Sequence, residues 1–156
     1  MARIRLDIPA DFNFTTRIPV RITDLNYGGH VGNDTILTLI HEARMQFLQQ
    51  AGYSELDLAG AALIMGDVAI EFKHEMFYGD HLEVSVAAGD FSRVGFDLYY
   101  KLEKVTGDRR VLIAQAKTGM VCFNYQLRKV VAIPSGVPEK LALLQATTSH
   151  QPPTFN

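Results

Sequence analysis

The sequence predicts an α+β domain in which one long helix packs against a curved antiparallel sheet. Two observations predict it: a single long helical pattern in the first third of the chain, and a series of alternating strand patterns after it. A helix with a wide apolar face needs cover from a second layer, and a sheet that curls around it provides that cover. A chain of 156 residues is most simply one domain. We place this domain at residues 1–146 and a flexible tail at the polar, proline-containing residues 147–156.

The first predicted elements are a short strand and the long helix. Residues 18–23 have an apolar strand pattern, and Pro19 favours a sheet edge or the beginning of the strand. A helix is predicted over residues 34–51, capped by Asn33 or Asp34 and ended by Gly52. Its apolar residues recur at spacings of three and four, which is one face of a helix: Ile36, Ile40, Ala43, Phe47 and Ala51.

The rest of the chain predicts strands, turns and a short terminal helix. Alternating patterns favour strands at residues 68–73, 83–86, 96–103 and 111–125, with turns at residues 78–80 and 106–108. A loop at residues 134–138 and a short helix at residues 139–145 follow. A single sheet cannot cover so apolar a helix on every side, and its edge strands are left open. We therefore expect a homodimer or a dimer of dimers that pairs sheets edge to edge.

Polar residues are concentrated where the first strand meets the helix. Residues 23–34 hold two aspartates, two asparagines, one histidine and three glycines. The N-terminus of a helix offers free N–H donors and a partial positive charge, and glycines let a ligand approach the backbone closely. The segment is therefore suited to holding a carbonyl oxygen beside a general base or nucleophile.

The same segment resembles a known family. Asp24-Leu-Asn-Tyr-Gly-Gly-His30-Val-Gly-Asn33, followed by Glu42-Ala-Arg44, resembles the 4-hydroxybenzoyl-CoA thioesterase branch of the hotdog-fold superfamily. The turn at residues 77–80 resembles that of the family, and the resemblance covers roughly residues 17–130. It implies the hotdog fold, a long helix wrapped by a curved sheet. It also implies hydrolysis of an acyl-CoA or acyl-carrier-protein thioester whose carbonyl is held at the helix N-terminus. No cofactor is expected beyond coenzyme A as part of the substrate.

The resemblance implies different roles for four catalytic candidates. The family carries a carboxylate as nucleophile or base at the position of Asn26, and a carboxamide can only hydrogen-bond a water or carbonyl there. Asp24 is expected on the same side of an extended strand, where it could replace that carboxylate. His30 matches the histidine of the similar plant acyl-carrier-protein thioesterases, and an imidazole transfers protons near neutral pH. Glu42 lies near the position where another hotdog branch carries a catalytic carboxylate.

Each candidate also has a purely structural interpretation. Asp24 could order the loop by an Asx-turn, and His30 could bond backbone groups. Glu42 could pair with Gln46 one helical turn later. The substrate-binding candidates are the other residues of the segment that line the expected anion site: Tyr27, Gly28, Gly29, Val31, Asn33 and Asp34.

Two other functions remain open. Hotdog hydratases and dehydratases carry an aspartate and an asparagine two residues apart, with a histidine five residues after the aspartate, whereas His30 follows Asp24 by six residues. A non-catalytic binder of acyl thioesters is the third possibility, because Asn26 replaces the family carboxylate.

Composition excludes several classes of function. A net charge of −2 argues against nucleic acid or an anionic membrane as a partner. Cys122 is the single cysteine, which excludes an intrachain disulfide and indicates an inert buried thiol. The chain has no signal-peptide pattern, no long apolar stretch and no spacing typical of a metal site, so a cytoplasmic, metal-free protein is expected.

Cations that could bind the phosphates of coenzyme A follow the helix: Arg93, Lys101, Lys104, Arg109, Arg110, Arg128 and Lys129.

Overall fold

The computed structural model describes residues 1–144, which form the predicted α+β architecture of one long helix against a curved, six-stranded antiparallel sheet. The helices are α1 (Asn33–Gln50) and α2 (Val137–Ala142), and a 3₁₀ turn spans Ile22–Asp24. The strands are β1 (Phe14–Pro19), β2 (Ala62–Phe72), β3 (His81–Gly89), β4 (Gly95–Thr106), β5 (Arg109–Asn124) and β6 (Lys129–Val130). The predicted tail, residues 147–156, lies outside the described residues.

The long helix confirms the prediction from apolar spacing. It begins and ends one residue earlier than predicted, and all five residues of the predicted apolar face are buried. Gly52 follows the C-cap residue Ala51 with a φ of +79°, a left-handed conformation that glycine adopts without strain. The short helix α2 also begins earlier than predicted, at Val137 instead of residue 139.

The sheet has the order β1-β3-β4-β5-β2, with β6 beside β5, and every pairing is antiparallel. Side chains alternate along each strand, so one face of the sheet joins α1 in a single apolar core. Cys122 belongs to this core, and burial raises the pKa of its thiol, so the thiolate is disfavoured as expected.

The first strand differs from the prediction. Residues 20–23 leave the sheet, and β1 instead occupies Phe14–Pro19. Proline has no N–H to continue the ladder, and beyond it the Val20 N–H donates to the Asp80 carbonyl oxygen at 3.1 Å, outside the strand. Pro19 therefore ends a strand instead of beginning one, although that strand does lie at a sheet edge as predicted.

The other edge strand of the described sheet is β2, which pairs only with β5. Its register shifts between Met65 and Asp67, and Met65, Val68 and Phe72 are exposed. Within the described residues, no helix is long and apolar enough to span a membrane.

The N-terminal segment, residues 1–13, crosses the outer face of the sheet. The Leu6 N–H donates to the carboxylate of Glu71 on β2. Lys101 Nζ of β4 lies 5.4 Å from the centroid of the Phe12 ring, and Asn13 Nδ2 donates to the Ala142 carbonyl oxygen at 3.3 Å. These contacts hold residues 6–13 against the sheet and α2.

Candidate active site

The polar segment found in the sequence folds into a tight loop before α1. The Asn26 N–H donates to the His30 carbonyl oxygen at 2.9 Å, and the Gly29 N–H donates to the Asn26 carbonyl oxygen at 3.1 Å. Gly29 has a φ of +83°, which explains why glycine occupies this turn. The Val31 N–H donates to the Met76 carbonyl oxygen at 2.9 Å, which fixes the loop against the connection between β2 and β3.

The predicted helix caps, Asn33 and Asp34, are wrong by one or two residues. Gly32 is the N-cap, and its carbonyl oxygen accepts the N–H groups of Thr35 and Ile36 at 3.1 and 3.2 Å. No side chain in the described part of the chain makes a cap hydrogen bond to α1. A Cβ at Gly32 would lie 2.5 Å from Asp34 Oδ1, so a larger residue would displace that carboxylate. The N–H groups of Asn33 and Asp34 are therefore left for a ligand, with the positive end of the helix dipole behind them.

The carboxamide of Asn26 lies between the loop and the start of the helix. Its Oδ1 accepts the Gly28 N–H at 2.9 Å, which orients the group. A Cβ at Gly32 would lie 3.7 Å from Asn26 Nδ2, so this nitrogen faces the helix N-terminus. Asn26 is thus oriented to donate hydrogen bonds beside the first-turn amides.

The side chain of His30 lies beside Gly28, as that of Asn26 does. Its Nδ1 is 3.1 Å from the Val31 carbonyl oxygen, which can only accept, so in the neutral imidazole Nδ1 carries the hydrogen and the lone pair is on Nε2. A Cβ at Gly28 would lie 3.2 Å from Asn26 Oδ1 and 3.6 Å from His30 Nε2, so both side chains flank Gly28. The imidazole, 33% exposed, can reach solvent and a bound ligand.

A carboxylate that the sequence did not indicate faces this imidazole. Glu75 Oε1 lies 3.9 Å from His30 Nε2, and Glu75 belongs to the connection that binds Val31. Residues 30 and 75 are far apart in the chain and share no motif, so only the tertiary fold shows this pair.

Asp24 does not have its predicted surroundings. It ends the 3₁₀ turn instead of lying on an extended strand beside Asn26. It is buried, its Oδ2 accepts the Arg21 N–H at 2.8 Å, and the same oxygen lies 3.6 Å from Arg21 Nε. The carboxylate therefore closes the turn that leads into the loop, which is close to its structural interpretation.

Glu42 likewise matches its structural interpretation. Its Oε1 accepts a hydrogen bond from Gln46 Nε2 at 2.8 Å, and Gln46 Oε1 accepts one from Thr16 on β1. The pair links the exposed side of α1 to the edge strand, away from the helix N-terminus.

Of the remaining predicted substrate-binding residues, three are exposed and one is buried. Tyr27, Gly28 and Gly29 are exposed on the loop, as a binding role requires. Val31 is buried in the core, so only its backbone can contribute to the site. Within residues 1–144, no three His, Cys, Asp or Glu side chains converge as a metal site would require.

A second polar cluster, the Arg44 network, lies in the core at the middle of α1. Arg44 Nε donates to Glu55 Oε1 at 2.7 Å and Nη1 to Tyr100 Oη at 3.4 Å, while Tyr100 Oη and Thr118 Oγ1 are 2.8 Å apart. His41 Nε2 lies 3.3 Å from Glu55 Oε1. Burial works to lower the pKa of Arg44, but Tyr100 and Glu55 together raise it, so the guanidinium stays charged.

The arrangement can be compared with known proteins. A model of the thioesterase-like superfamily matches residues 20–141, which include the loop, α1 and the sheet from β2 to β5. The chain belongs to this superfamily. The resemblance to the 4-hydroxybenzoyl-CoA thioesterase branch and the predicted hotdog fold are thereby confirmed.

Individual relatives of the superfamily are distant in sequence. A 1,4-dihydroxy-2-naphthoyl-CoA hydrolase of Microcystis aeruginosa is 27% identical over 128 residues, which are 80% of this chain and 90% of the relative. A 1,4-dihydroxy-2-naphthoyl-CoA thioesterase from Synechocystis has a similar structure, with a TM-score of 0.75, 24% identity and coverage of 85% of this chain and 97% of that one.

A mutant of 4-hydroxybenzoyl-CoA thioesterase in complex with 4-hydroxybenzoyl-CoA is also similar in structure. Its TM-score is 0.73 at 16% identity, and the match covers 81% of this chain and 96% of that one. At this identity the similarity concerns the fold alone.

Proposed function

We propose that this protein hydrolyses an acyl-CoA thioester at the loop before α1, with His30 as the general base. One observation carries the proposal: the Nδ1–H of His30 is directed to the Val31 carbonyl oxygen, which leaves the Nε2 lone pair free beside Gly28 and Asn26. Membership of the thioesterase-like superfamily and the CoA thioesters in the names of its relatives support the reaction class.

The thioester carbonyl binds at the open N-terminus of α1. Its oxygen accepts hydrogen bonds from the first-turn amides and from Asn26 Nδ2, where the helix dipole favours negative charge. Asn26 thus replaces the family carboxylate with a different function, because it donates to the oxygen on which charge develops. Loss of one such donor costs other enzymes roughly 100- to 1000-fold in rate.

His30 activates the water that attacks the carbonyl carbon. Nε2 takes a proton from the water as the new C–O bond forms, and the oxyanion is held by the donors at α1. The C–S bond then breaks, and the imidazolium returns the proton to the departing thiolate. The products are a carboxylic acid and the free thiol of coenzyme A. Glu75 Oε1, 3.9 Å from Nε2, is the carboxylate that faces this imidazole.

This chemistry needs neither a metal nor a cofactor, because the imidazole activates the water and the amides stabilise the oxyanion. A hydratase is less well supported. The Asp24 carboxylate is bonded to Arg21, and no contact within residues 1–144 joins it to His30, so the aspartate and histidine that a hydratase would use are not paired. A non-catalytic thioester binder is the second candidate, which the replacement of the family carboxylate by Asn26 favours.

The assembly is proposed to be a homodimer or a dimer of dimers formed through β2. This strand is 11 residues long, has one free edge in the described sheet and exposes Met65 and Val68. The site loop is itself exposed, so a second subunit would help to shield a bound acyl group from water. Multi-angle light scattering should give at least twice the monomer mass of 17.4 kDa, and a monomer would contradict this part of the proposal.

Thiol release from a panel of aromatic and aliphatic acyl-CoAs tests the function directly. We expect catalytic release of the thiol from at least one member of the panel. Tight binding of these thioesters without release would establish the binder instead. Reversible addition of water to an enoyl-CoA, again without thiol release, would establish the hydratase.

A further inference from the structure

We propose that a groove between the N-terminal segment and the end of β2 binds the phosphorylated nucleotide end of the CoA thioester. This N-terminal groove is lined by residues 1–6, residues 70–73 and Gln115, and its volume is about 1110 Å³. Pockets for small molecules are typically about 300–1000 Å³, so a nucleotide has sufficient room. The identity of the ligand rests on the proposed function, whereas the existence of an anion site does not.

The charges that line the groove favour an anion. Arg3, Arg5 and Lys73 provide three cations, and Glu71 is the one carboxylate among the lining residues. Glu71 is already engaged, because it accepts the Leu6 N–H and the ammonium of Lys73 at 3.1 Å. These two donors hold the pKa of Glu71 below its usual range, with a smaller contribution from Arg5. The groove is therefore locally positive in a chain whose net charge is −2.

The two arginines are held near the groove by the contacts of the N-terminal segment. Leu6, directly after Arg5, is bound to Glu71, and the far end of the segment is held by Phe12 and Asn13. The segment therefore carries Arg3 and Arg5 to the end of β2. Guanidinium groups suit phosphate because their planar donors bind two oxygens at once.

The groove lies close to the proposed active site along the chain. Lys73 precedes Glu75, which faces His30, and Met76, which binds Val31. Three residues span at most roughly 11 Å, even when fully extended. The pantetheine arm of coenzyme A is a long flexible chain that can cover such a distance, with the nucleotide in the groove and the thioester at α1.

Three of the cations expected from the sequence are paired with carboxylates, as Lys73 is, whereas no salt bridge within residues 1–144 involves Arg3 or Arg5. Lys101 lies 3.6 Å from Glu103, Lys104 lies 3.3 Å from Asp80, and Arg110 donates to Glu83 at 2.7 Å. Arg3 and Arg5 also precede residue 20, where the match to the superfamily begins. The arginines of the groove therefore lie outside the segment that the superfamily model matches.

Titration calorimetry with adenosine 3′,5′-bisphosphate tests the site without any turnover. We expect the bisphosphate to bind the wild-type protein, and the Arg3→Gln/Arg5→Gln double variant to bind it at least about tenfold more weakly, because charged hydrogen bonds to phosphate are lost. Lys73→Gln should weaken binding as well. Arg17→Gln, which removes an exposed arginine of β1 outside the groove, should bind as the wild type does. Absence of binding, or an equal loss in Arg17→Gln, would overturn the proposal.

Two further comparisons define the ligand. Adenosine 5′-monophosphate and inorganic phosphate should bind more weakly than the bisphosphate, and equal binding of inorganic phosphate would show a general anion site instead. In the double variant, KM for an acyl-CoA should rise about tenfold while KM for the same acyl-pantetheine stays constant. If the protein proves not to hydrolyse thioesters, the calorimetry still decides whether the groove binds the nucleotide.

Discussion

Two polar clusters lie along helix α1, the Arg44 network at its middle and the loop with Asn26 and His30 before its N-terminus. They differ in how many of their hydrogen-bonding groups have a partner within the protein. In the Arg44 network, the guanidinium, the phenol and the threonine hydroxyl all have protein partners in the core. In the loop before α1, Asn26 Nδ2 lies near the N-cap residue Gly32 and His30 Nε2 lies near Gly28, and no side chain of the described residues caps the helix. A cluster that is complete in itself stabilises the fold, whereas one with free donors and a free lone pair is prepared for a ligand.

The same difference indicates which charged residues of α1 and its loop stabilise the fold and which are available for catalysis. Asp24 and Glu42 were the carboxylates predicted for catalysis, and both have protein partners, Arg21 and Gln46. Variants of the two clusters should therefore have different effects. Substitutions in the loop should lower the rate of thiol release, and substitutions in the Arg44 network should lower the free energy of unfolding.

The largest effect is expected for the general base. His30→Gln should lower kcat for thiol release by about 100- to 10,000-fold, since a carboxamide cannot take the proton from water. The free energy of unfolding, measured by urea denaturation, should change little, because the ring is partly exposed. His81→Gln, at an exposed histidine of β3, is the matched control. A His30→Gln protein with undiminished kcat would show that the imidazole does not activate water.

The opposite pattern is expected in the Arg44 network. Arg44→Met should lower the free energy of unfolding by about 2–3 kcal/mol, less than the roughly 3–5 kcal/mol for a fully buried pair, because Glu55 keeps some contact with solvent. The rate of thiol release per folded molecule should remain within a few-fold of the wild type. Arg109→Met, at an exposed arginine, serves as the control. Unchanged stability together with lost activity would show that the Arg44 network serves catalysis and not the stability of the fold.

A smaller effect is expected for Asp24. Asp24→Ala should lower the free energy of unfolding by about 1 kcal/mol, as loss of a capping carboxylate does elsewhere, and should reduce thiol release only modestly. Glu42→Gln, which removes the charge of an exposed carboxylate, should change neither quantity. A loss of several hundred-fold in kcat for Asp24→Ala, with full stability, would instead make Asp24 the base.

The helix and most of the sheet could be predicted from the sequence because their apolar residues repeat with the periods of helix and strand. The helix was predicted to within one residue at each end, and both predicted turns were confirmed. The first strand was not, because residues 20–23 share a strand-like composition with β1 but bond to the 77–80 turn and to Asp24. Local pattern does not reveal such partners.

The site was predictable as a segment but not as an arrangement. The glycines, Asn26 and His30 were apparent from their concentration before α1, and the structure brings them together around Gly28. Glu75, Lys73 and the N-terminal arginines are distant in the chain and follow no motif. Only the tertiary packing places Glu75 beside His30, and Lys73 with the arginines around the groove.

The most direct test of the central claim is the rate of thiol release by Asn26→Asp, with the acyl-CoA that the wild-type protein hydrolyses fastest. We expect kcat to fall by about tenfold to 1000-fold, because a carboxylate would repel the oxyanion that the carboxamide stabilises. Gln49→Glu adds the same charge at an exposed position in the last turn of α1, at the opposite end of the helix from the loop, and should retain most of the activity. Faster release by Asn26→Asp would contradict the claim, since it would show that a carboxylate at this position is the better catalyst and that His30 is not the base.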